Sequence, residues 1–258
     1  MAKRVLLLSG TSEGPPLARA LVEAGFTVRA TVTRAEACAS LFRGPERNLT
    51  VEARGFTEEG LGEFLARGEA DVVLDATHPF AVRITRTAHA VCRRLGVPFV
   101  RYERPDWEPP LGTRQVGSFA EAAALLPSLG QRALLTIGAK QLKHFAALQD
   151  RLVLIARILP CVESLQQALA AGFTSDRLLC LRPPFSQEFN RALLREYRAE
   201  VLVTKASGRE GGAVEKVLAA RDLGLEVVMI RRPEQADMPC VGTLGAAVRA
   251  CREKAGIG

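Results

Sequence analysis

Short β-rich runs alternate with amphipathic stretches along most of the chain, and this alternation limits the folds available to it. In the N-terminal part, the β-rich runs predict strands at 5–8, 27–32, 48–53, 71–74 and 98–101, and the amphipathic stretches predict helices at 15–24, 58–67 and 81–95. Strands that alternate with helices build a parallel sheet with right-handed crossovers. The sequence therefore predicts an α/β protein.

The same pattern resumes after a segment rich in proline. Residues 102–114 contain Pro105, Pro109 and Pro110 and show little hydrophobic periodicity, which is typical of a linker. Beyond it, the sequence predicts strands at 132–136, 152–156, 177–181, 199–204 and 226–230, and helices at 119–129, 140–148, 163–170, 187–195, 214–223 and 243–254. We predict two Rossmann-like parallel-sheet domains, 1–103 and 115–258, joined by a linker at 104–114 and enclosing an interdomain cleft.

Composition excludes several classes of protein. No apolar run approaches the roughly 18 residues of a transmembrane helix, and the polar segment from Ser9 follows the first strand too soon for a signal peptide. We therefore expect a cytoplasmic protein without a membrane partner. The six cysteines form no CxxC pair and none has a histidine at metal-ligand spacing, so we expect no zinc, no iron-sulfur cluster and no disulfide.

The formal net charge of +7 favours an anionic partner. Nucleic acid is disfavoured, because the basic residues are scattered, aromatic residues make up only 5% of the chain, and no basic run is interleaved with them. A small molecule with carboxylates or phosphates and a merely solvated arginine-rich surface both remain open.

The turn after the first predicted strand is the first candidate binding site. Gly10, Thr11, Ser12 and Glu13 lie between that strand and a helix, where backbone amides and hydroxyls can bind a phosphate. A tight turn capped by Thr11 or Ser12 is the structural alternative.

The second strand ends in Thr33 and Arg34. A sheet that binds NAD usually has an acidic residue here for the ribose, whereas Arg34 suits the 2′-phosphate of NADPH. An arginine that is only solvated is the alternative.

The segment Asp75-Ala76-Thr77-His78-Pro79-Phe80 follows the fourth predicted strand. Its polar side chains fall at the carboxyl edge of the sheet, on the same side as the Gly10 turn. His78 stands beside a proline, whereas the other two histidines lie within predicted helices. His78 is either functional or a turn residue bonded to the backbone.

Two strand ends in the second half repeat this arrangement. Gly138 and Lys140 follow one strand, with a capped helix start as the alternative to an anion site. Lys205, Ser207 and Gly208 follow another, and the chain then enters a helix that carries Lys216. Glycines and two lysines at a strand end favour binding of a carboxylate or phosphate.

Taken in order, a series of short motifs carries a resemblance. They are Gly10-Thr11 with Glu13, Asp75 to Ala81, Glu103-Arg104-Pro105 with Trp107, Gly138 with Lys140, Arg157 with Leu159-Pro160, Pro184 to Ser186 with Glu188 and Asn190, Thr204-Lys205 with Ser207-Gly208, Gly211-Gly212 with Glu215-Lys216, and Arg232-Pro233. In this order and spacing, the chain resembles the precorrin-6A reductase family of cobalamin biosynthesis, called cobalt-precorrin-6A reductase in the anaerobic route. Ala206 departs from the acidic or amide residue frequent there, so no acid role is assigned to it.

The resemblance implies that a nicotinamide cofactor delivers hydride to a ring carbon of a polycarboxylate tetrapyrrole and that a proton goes to the neighbouring atom. NADPH is the expected cofactor, with NADH as the alternative. The first domain would bind the cofactor and the second would contribute substrate contacts. The implied site residues are catalytic His78, Lys205 and Ser207, the cofactor-binding residues Gly10, Thr11, Ser12, Glu13, Thr33, Arg34, Asp75, Ala76, Thr77 and His78, and the substrate-binding residues Arg104, Lys140, Lys205, Ser207, Gly208 and Lys216.

Two alternative functions lead to different expectations. A short-chain or epimerase-like nicotinamide enzyme would need a tyrosine followed four residues later by lysine, and neither Tyr102 nor Tyr197 is followed in this way. A non-enzymatic nucleotide-binding or sensor protein of two α/β domains is the alternative from another class. Either a monomer or a small homo-oligomer is compatible with the sequence.

Overall fold

A computed structural model describes residues 2–35, 38, 41–42, 46–208, 211–234, 238 and 240–257. The strands are β1 (Arg4–Leu8), β2 (Thr27–Val32), β3 (Leu49–Ala53), β4 (Val72–Asp75), β5 (Phe99–Tyr102), β6 (Arg114–Val116), β7 (Arg132–Leu135), β8 (Val153–Ile158), β9 (Leu178–Cys180), β10 (Val201–Lys205), β11 (Glu226–Ile230) and β12 (Cys240–Val241).

The described α-helices are α1 (Gly14–Glu23), α2 (Glu58–Ala66), α3 (Val82–Leu95), α4 (Phe119–Leu125), α5 (Val162–Ala170), α6 (Gln187–Glu196), α7 (Ala213–Asp222) and α8 (Leu244–Lys254). Three 3₁₀ segments are also described, Leu126–Ser128, Ala139–Leu148 and Ser175–Arg177. None of the helices described combines the length and apolar character that a bilayer span requires.

The chain forms two compact units, Met1–Pro105 with Pro233–Gly258 and Asp106–Arg232. The first contains a six-stranded sheet in the order β12-β5-β4-β1-β2-β3, in which every strand pair is parallel. The second contains a six-stranded parallel sheet in the order β6-β11-β10-β7-β8-β9. The predicted α/β class with two parallel sheets is therefore confirmed.

The central strand β1 is apolar at every position from Val5 to Leu8, and its place in the sheet explains this pattern. Val5 and Leu7 pack in one core cluster with residues of α1, and Leu6 and Leu8 pack in another with residues of α2 and α3. A strand covered on both faces needs apolar side chains at odd and even positions alike. Both faces of the first sheet are thus buried by helices.

The division of the chain differs from the predicted one at its C-terminal end. Residues from Pro233 belong with the first unit, whereas the prediction assigned 115–258 to the second domain. The reason is the pairing of β12 with β5 and the packing of Ala247 and Cys251 of α8 in the core of the first sheet. A two-residue strand has too little periodicity to be found in the sequence.

Two smaller differences lie in the second unit. β6 occupies Arg114–Val116, where the end of the linker was predicted, and pairs with β11. The segment predicted as a helix at 140–148 is a 3₁₀ helix, Ala139–Leu148. Its apolar side chains Leu142 and Phe145, which are three residues apart, are both buried, and this spacing suits a helix of three residues per turn.

Candidate functional site

In both sheets, the strand order reverses beside the first central strand. In the first sheet, β2 and β3 lie on one side of β1, and the chain then crosses to β4 on the other side. In the second sheet, β8 and β9 lie on one side of β7, and the chain then crosses to β10 on the other side. Open α/β sheets bind ligands outside the carboxyl ends of the strands at such points. The loops after β1, β4, β7 and β10 are therefore the places where a site is expected.

The loop after β1 presents a series of backbone amides. The N–H groups of residues 10–13 donate no hydrogen bond to any part of the chain that the structure describes, whereas those of Ser9 and Gly14 bind the carbonyls of Thr31 and Thr11. Consecutive amides of this kind can bind an anion. The first turn of α1 adds few donors, because Pro15 and Pro16 have no N–H group.

Gly10 and Gly14 differ in their surroundings. A methyl group built on Gly10 would meet no atom within 4 Å, so the protein itself does not require glycine there. At Gly14 the same methyl would collide with Oγ of Ser9. Gly14 is therefore needed for packing, and the open space beside Gly10 is available to a ligand.

A hydrogen bond joins the loops after β1 and β4. The Thr11 hydroxyl donates to the carbonyl of Ala76 over 3.3 Å. Within the second loop, the amide of Thr77 donates to Oδ1 of Asp75 over 2.9 Å. The predicted proximity of the Gly10 turn to the segment 75–80 is thus present in the structure.

A buried ion pair anchors the loop after β4. Nη1 of Arg101 lies 3.0 Å from Oδ1 of Asp75, and both side chains are fully buried. The same Nη1 donates to Oγ1 of Thr77 over 3.2 Å. Asp75 is therefore engaged inside the protein and supports the loop from within. Sequence reasoning missed Arg101, although a charged residue in an otherwise apolar strand is a signal.

His78 is held in the turn by backbone bonds. Its Nδ1 accepts a hydrogen bond from the amide of Phe80 over 3.2 Å, and its carbonyl accepts one from Ala81 over 2.7 Å. Acceptance at Nδ1 requires that a neutral ring carries its proton on Nε2. The structure therefore gives His78 a turn-forming role, and its catalytic role stays a prediction.

A small pocket opens between these loops. It is lined by Thr11, Glu13, Ala76, Thr77, Pro79, Tyr102, Glu103 and Arg104. Glu13 and Arg104 form an ion pair in its wall, and both are buried. Arg104, predicted to bind substrate, thus lies beside the predicted cofactor residues. Ser12 is exposed, and its hydroxyl lies 3.4 Å from the carboxylate of Glu13.

The end of β2 lies next to the β1 loop. The carbonyl of Thr31 accepts the amide of Ser9 over 2.8 Å, which fixes the two strand ends side by side. Thr33 is exposed and Arg34 is half-buried. The predicted cofactor residues 10–13, 33–34 and 75–78 therefore all follow three adjacent strands of one sheet.

The second unit brings two of the predicted lysines within electrostatic reach of each other. Lys205 ends β10, and a methyl built on Gly138 would lie 4.0 Å from its Nζ. Burial lowers the pKa of Lys205 to about 8. Burial, followed by the charges of Arg157 and Lys205, lowers the pKa of Lys216 to about 7, against a smaller opposite effect of Glu215.

The loop that follows Lys205 folds back on itself. The hydroxyl of Ser207 donates to the carbonyl of Gly211 over 3.2 Å. A methyl on Gly211 would collide with that hydroxyl, so the close turn requires glycine. Gly208 and Gly212 have φ of +74° and +64°, a conformation that glycine adopts readily. The predicted residues Ser207 and Gly208 are therefore fixed beside Lys205.

Lys140 does not join this group. Its side chain is 74% exposed and lies 3.5 Å from the carboxylate of Glu163. Arg157, in contrast, belongs to one of the motifs that carry the resemblance but is not among the predicted site residues, and its charge acts on Lys216. The available signal was again a charged residue inside an apolar strand.

Comparison with known proteins adds to this geometry. Residues 4–252 match the family model described as precorrin-6x reductase CbiJ/CobK. A cobalt-precorrin-6A reductase of Synechocystis sp. is 39% identical over 233 residues, which cover 89% of this chain and 88% of that protein. A precorrin-6A reductase of Rhodococcus erythropolis is 42% identical over 238 residues, 89% of each chain. The solved structure of CobK precorrin-6A reductase, 30% identical, superposes with a TM-score of 0.79 and covers 99% of this chain and 98% of the other.

Proposed function

This chain belongs to the precorrin-6x reductase family, and we propose that it uses a nicotinamide cofactor to reduce one double bond in the macrocycle of precorrin-6A or cobalt-precorrin-6A, in the biosynthesis of cobalamin. The observation that carries the proposal is the family match over residues 4–252, together with candidate loops at both points where the strand order reverses. The alternative of a non-enzymatic sensor has no support in these comparisons.

The first unit is the proposed cofactor site. The amides of residues 10–13 and the open space at Gly10 fit a phosphate group, and the pocket beside Thr11 and Thr77 fits a further part of the cofactor. When bound, the nicotinamide supplies the hydride, and the protein's task is to position it. Asp75 contributes by holding the amide of Thr77, and His78 by shaping the turn.

We assign NADPH as the preferred form of the cofactor. Arg34 follows β2, where an enzyme specific for NAD usually has an acidic residue for the ribose hydroxyls. An arginine at this strand end can instead bind the 2′-phosphate. Thr33, exposed beside it, offers a hydroxyl to the same group.

The second unit is the proposed substrate site. Lys205 and Lys216 provide positive charge for carboxylates, and Ser207 and Gly208 line the loop next to Lys205. An ammonium with a pKa of about 8 gives up its proton more readily at neutral pH than an ordinary lysine, so Lys205 suits a role in supplying the proton of the reduction. Lys140 is paired with Glu163 and Arg104 with Glu13. Each would bind the substrate only by exchanging its present carboxylate partner for a carboxylate of the substrate.

Turnover tests this function directly. Purified protein is mixed anaerobically with NADPH and precorrin-6A or cobalt-precorrin-6A, and the spectra of macrocycle and NADPH are followed together. We expect NADPH to be consumed in step with the change in the macrocycle, NADPH to be preferred to NADH, and Arg34→Ala to remove most of that preference. Binding of both compounds without consumption of NADPH would contradict the proposal and favour a sensor.

A further inference from the structure

Arg157 is a buried cation on an otherwise apolar strand. Arg157 is 8% exposed, and Lys216, whose pKa it helps to lower, is 6% exposed. Neither side chain has a carboxylate within ion-pair distance in the part of the chain that the structure describes. A buried charge costs free energy unless an opposite charge compensates it. Lys216 can relieve this cost by losing its proton, whereas Arg157 stays charged, so the needs of folding do not explain the buried cation of Arg157.

The guanidinium of Arg157 is held in a defined orientation. Its Nη1 donates to Oδ1 of Asn190 over 2.9 Å, and the ring of Phe185 lies 4.8 Å from its central carbon. Asn190 is 3% exposed and donates in turn to the carbonyl of Ser186 over 2.7 Å. The side chain is thus fixed by α6 and by the segment that leads into it.

The remaining donors of Arg157 are free to bind a ligand. Nε and Nη2 make no hydrogen bond within the described chain, and neither is among its fully enclosed unpaired atoms, so both keep access to solvent. These two nitrogens form one edge of the guanidinium. A carboxylate can bind that edge with two parallel hydrogen bonds.

Arg157 also lies close to the proposed substrate residues. β8 carries Arg157, β10 carries Lys205, and β7 pairs with both strands. The charges of Arg157 and Lys205 both act on Lys216. Burial lowers the pKa of Arg157 to about 10, so it stays charged at neutral pH.

We propose that Arg157 is a further substrate-binding residue, which binds one acidic side chain of the macrocycle together with Lys205 and Lys216. The inference rests on the proposed function for the identity of the ligand. Asn190 and Phe185 are positioning residues, because they orient the guanidinium and leave its Nε–Nη2 edge open. A bound carboxylate would supply the ion-pair partner that neither Arg157 nor Lys216 has among the described residues.

Replacement of Arg157 by methionine separates a binding role from a structural one. Methionine keeps much of the length of the side chain and removes its charge. Because a buried uncompensated charge is removed, we expect Arg157→Met to unfold at the same temperature as the parent protein or a higher one. The dissociation constant of uroporphyrin, a polycarboxylate tetrapyrrole whose fluorescence reports binding, should rise roughly tenfold or more. The dissociation constant of NADPH should change less than about twofold.

Two further variants complete the experiment. Arg157→Lys keeps the charge but not the planar pair of donors and should bind uroporphyrin with intermediate affinity. Arg151→Met removes an exposed arginine from the same unit and should leave uroporphyrin binding unchanged. Equal uroporphyrin affinity in Arg157→Met and the parent, no uroporphyrin binding by the parent, or a lower unfolding temperature with loss of NADPH binding would each overturn the proposal. These binding measurements do not depend on turnover, so failure of the proposed reaction would be seen separately.

Discussion

At the scale of single residues, two nearby glycines serve different purposes: Gly10 leaves space for a ligand, and Gly14 is needed for packing. Gly10 has open space around it, whereas Gly14 packs against Ser9. They are four residues apart, with Gly10 in the loop after β1 and Gly14 at the start of α1. A substitution at each position therefore tests which part of the loop faces the cofactor.

We predict that Gly10→Ala weakens NADPH binding without destabilising the protein. The added methyl would occupy the space through which the backbone approaches a phosphate, so the dissociation constant should rise about tenfold or more, measured by NADPH fluorescence. The unfolding free energy, measured by urea denaturation, should change by no more than about 0.5 kcal/mol, which is the range of most surface substitutions. Gly14→Ala is the matched control, in which stability should fall because the methyl meets Ser9. The assignment of Gly10 to the cofactor site fails if NADPH binds Gly10→Ala as it binds the parent.

Lys216 gives a prediction for the dependence of stability on pH. Its pKa falls from 10.5 in an ordinary lysine to about 7 in the folded protein, so between these values the unfolded chain binds more protons. The stability associated with the neutral amine is present above about pH 10.5 and is lost as the pH falls to about 7.

Lys216→Met should therefore gain most over the parent protein near neutral pH, and the gain should shrink as the pH rises toward 10. Urea denaturation of both proteins across this range measures the difference. A difference in unfolding free energy that is independent of pH would show that Lys216 titrates normally in the fold.

At the scale of structural elements, the loop after β4 depends on the buried ion pair of Arg101 with Asp75, next to which Glu103 is a second carboxylate partner of Arg101. Arg101 of β5 binds Asp75 and Thr77, and Asp75 binds the amide of Thr77. Two contacts from β5 and one hydrogen bond within the β4 loop itself thus fix the segment that carries His78. Removing Arg101 would leave the carboxylate of Asp75 buried without its cation, whereas removing Asp75 would leave Arg101 with the carboxylate of Glu103, 3.6 Å from its Nε.

We predict that Arg101→Met lowers the unfolding free energy by about 3–5 kcal/mol. The double variant Arg101→Met with Asp75→Asn should recover part of that loss, because asparagine removes the unpaired negative charge of Asp75. Urea denaturation of the parent, both single variants and the double variant gives the coupling energy. Additive effects of the two substitutions would mean that the pair does not act as a unit.

The elements also show what the sequence could predict. β1, β2 and β11 coincide with β-rich runs in the sequence, and the structure places them within one residue of their predicted bounds. β6 and β12, with three and two residues, are held by pairing with distant strands and leave no periodic pattern. The loops at the strand ends were predictable from their glycines and polar residues. Arg101 and Arg157 were not predicted as site residues, because their roles depend on partners far away in the sequence.

At the scale of the whole molecule, the order of the elements along the chain does not reveal which of the two units contains the C-terminal segment. The predicted second domain ran to residue 258, yet α8 completes the core of the first unit. The linker prediction rested on prolines at 105, 109 and 110, and the chain passes into the second unit at Asp106. It returns to the first unit at Pro233, where the sequence offers no linker-like segment beyond the pair Arg232-Pro233. A return of this kind is set by the pairing of β12 with β5 and has no local signal.

The central claim, that this chain transfers a hydride from a nicotinamide to the macrocycle, is tested most directly with deuterium. NADPH carrying deuterium at the transferred position of C4 is incubated anaerobically with the protein and cobalt-precorrin-6A or precorrin-6A, and the product is analysed by mass spectrometry. We predict that the reduced macrocycle contains one deuterium, and that reaction with unlabelled NADPH in heavy water places one solvent deuterium on the neighbouring position. A reduced product without deuterium from labelled NADPH, or no reduced product while both compounds bind, would contradict the account.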